Sequence, residues 1–342
     1  MDFTEGLGYL ARQLGHTFLS PGSVFSLTSL ACALLLAAAL LTLQRARRGR
    51  RIRWRVICRA LFPRRIFSSA SCNADMGFLF FSVFLYGIMF GWAALSYQFL
   101  SNTIIQQLVG AFGPMQPSAW PDWLSRALMT AVAFLAFELG YWFHHYLSHR
   151  IPFMWEFHKV HHTAEVLTPV TLARVHPLDT VTYYNILALS MGTANGVMSY
   201  LFGATLYEFT ITDKNLLLVL FIHAYLHLQH THLWIAFRGW LGRVLLSPAH
   251  HQIHHSSNPA HFNKNLGNCL AIWDWLFGTL HIPTKEREKL TFGVVEDGEV
   301  DPHGFKEGMV MPVYRAAGHL GRMVSRPEHA DAPAAEGLPI PR

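Results

Sequence analysis

The sequence predicts an all-α fold: an integral membrane helical bundle with a histidine-rich helical cap on its cytoplasmic side. Three observations predict it. Charged residues make up 14% of the 342 residues, against about 25% in a soluble domain. Two stretches, Val24 to Leu43 and Phe78 to Leu100, run for 20 and 23 residues without a charge. Finally, 17 of the 21 histidines fall between His144 and His281, many of them three or four residues apart, which puts side chains on one helical face.

Each uncharged stretch is long enough to cross a hydrocarbon core about 30 Å thick. Between them, Arg45 to Arg65 holds ten arginines and no acid, while the rest of the chain sums to about −4. A basic run can mean nucleic acid or anionic lipid. Directly after an apolar segment it reads as a topology signal that stays in the cytoplasm, so no nucleic-acid partner is expected. Pro114 to Pro121 is a turn between spans. Ala127 to Phe143, with one acid at Glu138, is a third candidate span. Val181 to Tyr207 and Asn215 to about Ile235 form an out-and-back hairpin turning near Glu208 to Lys214. With the arginines inside, this order brings His145, His149, His230 and the last cluster to the cytoplasmic side.

Residues 1–122 thus read as N-terminal transmembrane helices with a basic cytoplasmic loop. Residues 284–342 read as a C-terminal tail, partly disordered from Ser325 to Arg342, where Pro, Ala and charge prevail. The four cysteines, Cys32, Cys58, Cys72 and Cys269, form no CxxC pair, which argues against a disulfide framework or thiolate site. Asp2, Glu5 and Arg12 interrupt the first twenty residues, so no cleavable signal peptide is expected.

The histidines form the clusters His145-x-x-x-His149, His158-x-x-His161-His162 and His251-x-x-His254-His255, with a group from His227 through His230 to His232 between the last two. A lone histidine on an apolar helix is usually a hydrogen-bonded core residue. HxxHH occurring twice is hard to explain by packing, because imidazoles near lipid need partners. Metal ions are good partners, and imidazole suits zinc, copper, iron and nickel. A structural zinc takes four ligands; the clusters offer eight to ten, enough for two ions. There is no HExxH, so a zinc-protease arrangement is absent. Haem needs one or two isolated histidines rather than adjacent pairs.

From about Glu138 to Pro283 the chain resembles the fatty acid hydroxylase (sterol desaturase) superfamily of integral-membrane di-iron oxygenases. The resemblance is carried by GYWFHHYLSHRIPFMWEFHKVHHTAE, RVHPLD, LQHTHLW, SPAHHQIHHS, HFNKNLGN and WDWLFGT, in that order. It implies a catalytic domain over residues 123–283 that holds two iron ions, with zinc a possible substitute. The implied ligands are His145, His149, His158, His161, His162, His251, His254 and His255. His230 matches an additional ligand, and His227, one turn earlier, is a plausible tenth. His144 and His250 are spares; His145 is preferred over His144 because i and i+4 share a face more closely.

Metal-bound imidazoles usually donate their other N–H to a carboxylate or carbonyl. Glu138, His176 and Asp179 are the expected partners around the ligands, with Glu156, Glu165 and Asp274 weaker. Asn263, Asn265 and Asn268 read as helix caps. Trp273 and Trp275 read as interfacial, and Trp142 and Trp155 as tunnel lining or anchors. The resemblance implies a lipid acyl chain or sterol-like substrate, hydroxylated (or desaturated) with dioxygen, and leaves ether-lipid cleavage open. The chain carries no haem domain, flavin fingerprint or iron–sulfur cysteine cluster, so a ferredoxin or cytochrome-type donor must supply electrons. The alternatives are a metal transporter or sensor, or a catalytically inactive relative. The arginine- and alanine-rich style suggests a bacterial inner membrane.

Overall fold

The computed structural model describes residues 3–203, 208–294 and 301–324. Almost all of its regular structure is helical, with one two-stranded hairpin. The first expected span is the helix Leu27–Arg47, capped by Ser26, whose Oγ accepts the Ser29 N–H at 3.1 Å. Leu34, Leu35 and Leu43 are exposed on it, while Ala33 and Ala37 pack against Leu228. Leucine outside and alanine inside is the pattern of a helix whose wider face meets lipid.

The second span differs from expectation. It is broken after Ala70–Phe84, where the following stretch Tyr86–Phe112 turns off by 56°; that stretch holds a short helix, Tyr86–Phe90, and a longer one, Tyr97–Phe112. Gly87 and Gly91 weaken the helix where it breaks, and Ser96 starts the new one by accepting the Phe99 N–H. A break inside a bundle leaves backbone groups to satisfy. Asn185 does this: its Oδ1 accepts the Leu95 N–H at 2.7 Å and its Nδ2 donates to Ala93 O at 3.1 Å.

The third span is Asp122–Arg150, 29 residues, or roughly 43 Å at 1.5 Å per residue. That exceeds the hydrocarbon core by about two turns. Against it and Tyr97–Phe112 packs Pro177–Phe202. Gly192 and Gly196 explain the close approach: a Cβ on Gly196 would lie 2.7 Å from Ile104 Cβ. This is the small-xxx-small contact that lets helix backbones meet. Strands Thr210–Ile211 and Lys214–Asn215 then form the expected turn, with Thr212 and Asp213 at positive φ. The chain descends through Leu216–Gln229, which contains a π-helical turn at Ile222–Leu226.

Among the described residues, two helices, Leu27–Arg47 and Asp122–Arg150, are long and apolar enough to cross a membrane alone; the bent pair has the length and composition of a third only when its two parts are taken as one span. Pro177–Phe202 and Leu216–Gln229, the remaining expected spans, do not meet that requirement alone; both carry buried residues along their length. His232 Nε2 donates to Ala60 O at 2.6 Å, which fixes the histidine-rich end to the arginine run.

The segment after residue 283 is more ordered than a tail. Met311–Val324 is a helix that packs on Pro152–His162, and His319 Nε2 lies 3.3 Å from Glu156 Oε1. A Cβ on Gly308 would come within 2.8 Å of the Phe78 ring. Ser325–Arg342, expected to be disordered, lies outside the described residues.

Candidate metal centre

Nine histidines meet in two adjacent groups. The first is His145, His149, His158, His162 and His254; the second is His161, His230, His251 and His255, and within each group the ligand atoms lie within 4.8 Å of one another. The sequence explains the convergence. His145 and His149 lie in the last turns of Asp122–Arg150, Pro152 starts the next helix at once, and Pro152–His162 presents His158, His161 and His162. Ser247 caps Pro248–His254, with His250 as its reciprocal capping partner. The rings of His162 and His255, one from each group, stand 4.7 Å apart with their planes 29° from parallel.

Backbone acceptors fix the tautomers. His145 Nδ1 is 2.7 Å from Leu266 O, His254 Nδ1 is 2.9 Å from Lys264 O, and His161 Nδ1 is 3.2 Å from Arg174 O. A carbonyl only accepts, so each Nδ1 carries the proton and each Nε2 keeps its lone pair. His158 Nδ1 donates likewise to Asp179 Oδ2 at 3.0 Å.

The free nitrogens fit metal ions. All five Nε2 atoms of the first group are buried without a hydrogen-bond partner. In the second group the four Nε2 atoms crowd together, with His230 2.9 Å from His251 and 3.2 Å from both His161 and His255. Imidazole–metal bonds of about 2.0–2.1 Å put neighbouring tetrahedral ligands about 3.4 Å apart. Lone pairs this close repel unless a cation lies between them. Burial, and next the neighbouring His158, pull His161 and His254 down to about 3, so both are neutral at pH 7, the form that binds metal.

Asp179 is buried at the head of Pro177–Phe202. Burial alone would raise its pKa, but His158 and His144 hold the carboxyl well below the usual carboxylate range. His144 turns to this carboxylate at 3.2 Å and belongs to neither group, whereas His145 does. His227 also stands apart from both groups. Its Nε2 lies 2.7 Å from Val24 O and 3.2 Å from Ser29 Oγ, so it fastens the first long helix. His176 caps Pro177–Phe202 through Nδ1 and donates to Met309 O from Nε2; it touches no histidine of either group.

Glu138 acts one step away from the two histidine groups. Its carboxylate accepts from Asn268 Nδ2 and from the Cys269 and Leu270 N–H groups, at 3.1, 2.9 and 2.7 Å. Asp274 grips the same loop from the other side, accepting the Leu266 and Gly267 N–H groups at 2.8 and 2.7 Å. Leu266 is the residue whose carbonyl holds His145. Glu156 pairs with Lys159 at 2.6 Å, and Glu165 faces His303, so neither meets the two groups.

Trp142 is buried, stacked on Phe277 and hydrogen-bonded to Asp274, hence a packing residue. Trp155 instead helps line a cavity of about 430 Å³ with His149, His162, His254, His255 and Phe262. Trp275 is exposed. The asparagines are loop ties more than caps: Asn265, at φ 56°, donates to His250 O and accepts the His281 N–H.

Sequence reasoning missed Arg174 and Asp75. Arg174 is fully buried; its Nη1 lies 3.1 Å from Asp75 Oδ1, and its Nη2 donates to Pro302 O at 2.9 Å. Its own carbonyl anchors His161. A signal existed: Asp75 is the only acid between Glu5 and Asp122, and a lone acid in an apolar stretch calls for a cationic partner.

Residues 130–279 match the fatty acid hydroxylase family. This region, residues 130–279, is of the fatty acid hydroxylase superfamily. The chain is 30% identical over 180 residues to alkylglycerol monooxygenase of Danio rerio, covering 52% of this chain and 33% of that protein. It is 31% identical over 165 residues to the Homo sapiens alkylglycerol monooxygenase, covering 47% and 32%. It is 31% identical over 167 residues to the ornithine lipid hydroxylase OlsE of Rhizobium tropici, covering 48% and 46%. The chain therefore spans less than half the length of these relatives. No solved structure matches it. The fatty acid hydroxylase region contains all nine grouped histidines together with Glu138, Asp179 and Asp274.

Proposed function

We propose that this protein is a membrane-bound di-iron monooxygenase that hydroxylates a lipid chain. The observation that carries the proposal is the pair of adjacent histidine groups, five imidazoles with buried, unpartnered Nε2 atoms and four whose Nε2 atoms crowd around His230. Zinc fits the same nitrogens but has no redox chemistry. The relatives named as monooxygenases and a hydroxylase favour a redox-active ion, which we take to be iron, and favour oxygen insertion over desaturation. His145, His149, His158, His162 and His254 would hold one ion, and His161, His230, His251 and His255 the other. When bound, the iron pair supplies dioxygen activation: one oxygen atom enters a C–H bond and the other leaves as water, consuming two electrons and two protons.

The chain's own residues prepare that chemistry. Leu266, Lys264 and Arg174 carbonyls and the Asp179 carboxylate hold four rings at fixed tautomers. Trp155, Phe262 and Val294 form apolar walls where the cavity meets His149, His162 and His254, which excludes water from a lipid chain entering there. The electrons come from a separate ferredoxin or cytochrome-type donor. With the arginine run inside by the positive-inside rule, the centre faces the cytoplasm, in a bacterial inner membrane on the compositional reading. A transporter would place its site near mid-span; these histidines cluster at helix ends.

The test is lipid analysis of cells with and without the protein, grown under ¹⁸O₂. A lipid carrying one labelled hydroxyl is expected with the wild type and not with His254→Ala, which should still insert in the membrane. Identical lipids in all three strains would reject the proposal.

A further inference from the structure

A third cluster lies outside the nine-histidine centre. His261, His281 and Glu288 bring one ligand atom each within 4.8 Å of one another. His261 ends a 3₁₀ turn, Pro259–His261, set by Asn258. His281 is placed by its backbone N–H on Asn265 Oδ1 at 2.7 Å. Glu288 belongs to the returning segment, whose Thr291 O accepts the Ser257 N–H at 2.9 Å.

A hydrogen-bonded ion pair does not account for the arrangement. His261 is 6% exposed, and its Nδ1 is buried without a partner, as is Glu288 Oε1. His261 Nε2 and Glu288 Oε2 stand 3.6 Å apart, beyond a hydrogen bond. Around a zinc-sized ion with bonds of about 2.0–2.2 Å, adjacent tetrahedral ligands sit about 3.3–3.6 Å apart. Two imidazoles and one carboxylate are a donor set suited to such an ion, with a position left for water.

We propose that His261, His281 and Glu288 bind a divalent cation of the zinc class, which clamps the segment after residue 281 to the loop after the last histidine cluster. The two walls so joined are those of the cavity: Ser256, Ser257 and Phe262 on one side, Gly293 and Val294 on the other. The ion is structural here; it sets the position of a cavity wall and takes no part in oxidation.

The experiment uses the full chain in detergent, stripped with chelator and reloaded with zinc, with bound metal counted by mass spectrometry. Glu288→Gln and His281→Gln should each bind one zinc fewer per chain than wild type. Glu288→Gln changes one partly exposed group, and its fold is checked by an unchanged melting temperature without zinc. In wild type, zinc at ten times its Kd should slow protease cleavage within residues 282–294 about tenfold, and in Glu288→Gln it should not. Equal zinc counts in wild type and variants, or cleavage indifferent to zinc, overturns the assignment. The difference between wild type and Glu288→Gln reports this site alone. The zinc retained by Glu288→Gln reports the nine-histidine centre, so the two proposals fail separately.

Discussion

Replacing Asp179 by Asn tests whether partners behind the ligands govern metal affinity. The carboxylate accepts from His158 Nδ1 at 3.0 Å through one oxygen and faces His144 Nε2 at 3.2 Å through the other. An amide offers one oxygen and one NH₂, so one of the two rings must face a donor. If the oxygen stays on His158, that bond loses its charge assistance; if it moves to His144, the His158 ring is free to turn. Loss of such a partner typically weakens metal binding about 10- to 100-fold, about 1.4–2.7 kcal/mol. The assay is chelator competition for iron in detergent-purified protein, under anaerobic conditions. Glu165→Gln is the control, because Glu165 faces His303 and neither histidine group. Equal iron affinity in Asp179→Asn, Glu165→Gln and wild type would refute the argument.

The same geometry sets two further outcomes. Glu138→Gln leaves one of three donors facing an NH₂, a cost of about 1–3 kcal/mol; a lowered melting temperature in detergent is expected, and an unchanged one refutes the role of Glu138 as the loop's anchor. Burial holds His161, His254 and His250 down at about 3, whereas unfolded histidine titrates near 6.5. The unfolded chain therefore takes up protons first as pH falls, so metal-free protein should lose stability progressively from about pH 6.5 downward. A melting temperature that stays flat between about pH 7 and about pH 5 would contradict this.

Much of the site was legible in the sequence because i, i+3 and i+4 spacing is a local rule. Nine of the ten histidines expected as ligands fall in the two groups, and Asp179 meets His158 directly. His227 was not separable by spacing: its helix ends at Gln229, leaving His230 in a non-helical conformation at ψ 65°, and its own partners, Val24 and Ser29, lie about two hundred residues earlier. The bend between Phe84 and Tyr97 was hidden because hydropathy does not register where a helix breaks. The side chain that satisfies the backbone opened there, Asn185, lies about ninety residues later. The roles of Glu138, Asp274 and Arg174 depend on contacts 7 to 132 residues away in sequence, which no local pattern encodes. The docked helix Met311–Val324 was missed for a similar reason: its partner face, on Pro152–His162, was read only for its histidines.

The rings of His145, His158, His161 and His254 are tethered by oxygen atoms of the polypeptide itself. The fold rather than an ion therefore sets the aim of these four rings, so on the proposed reading an arriving metal would have to draw in only the remaining five of the nine.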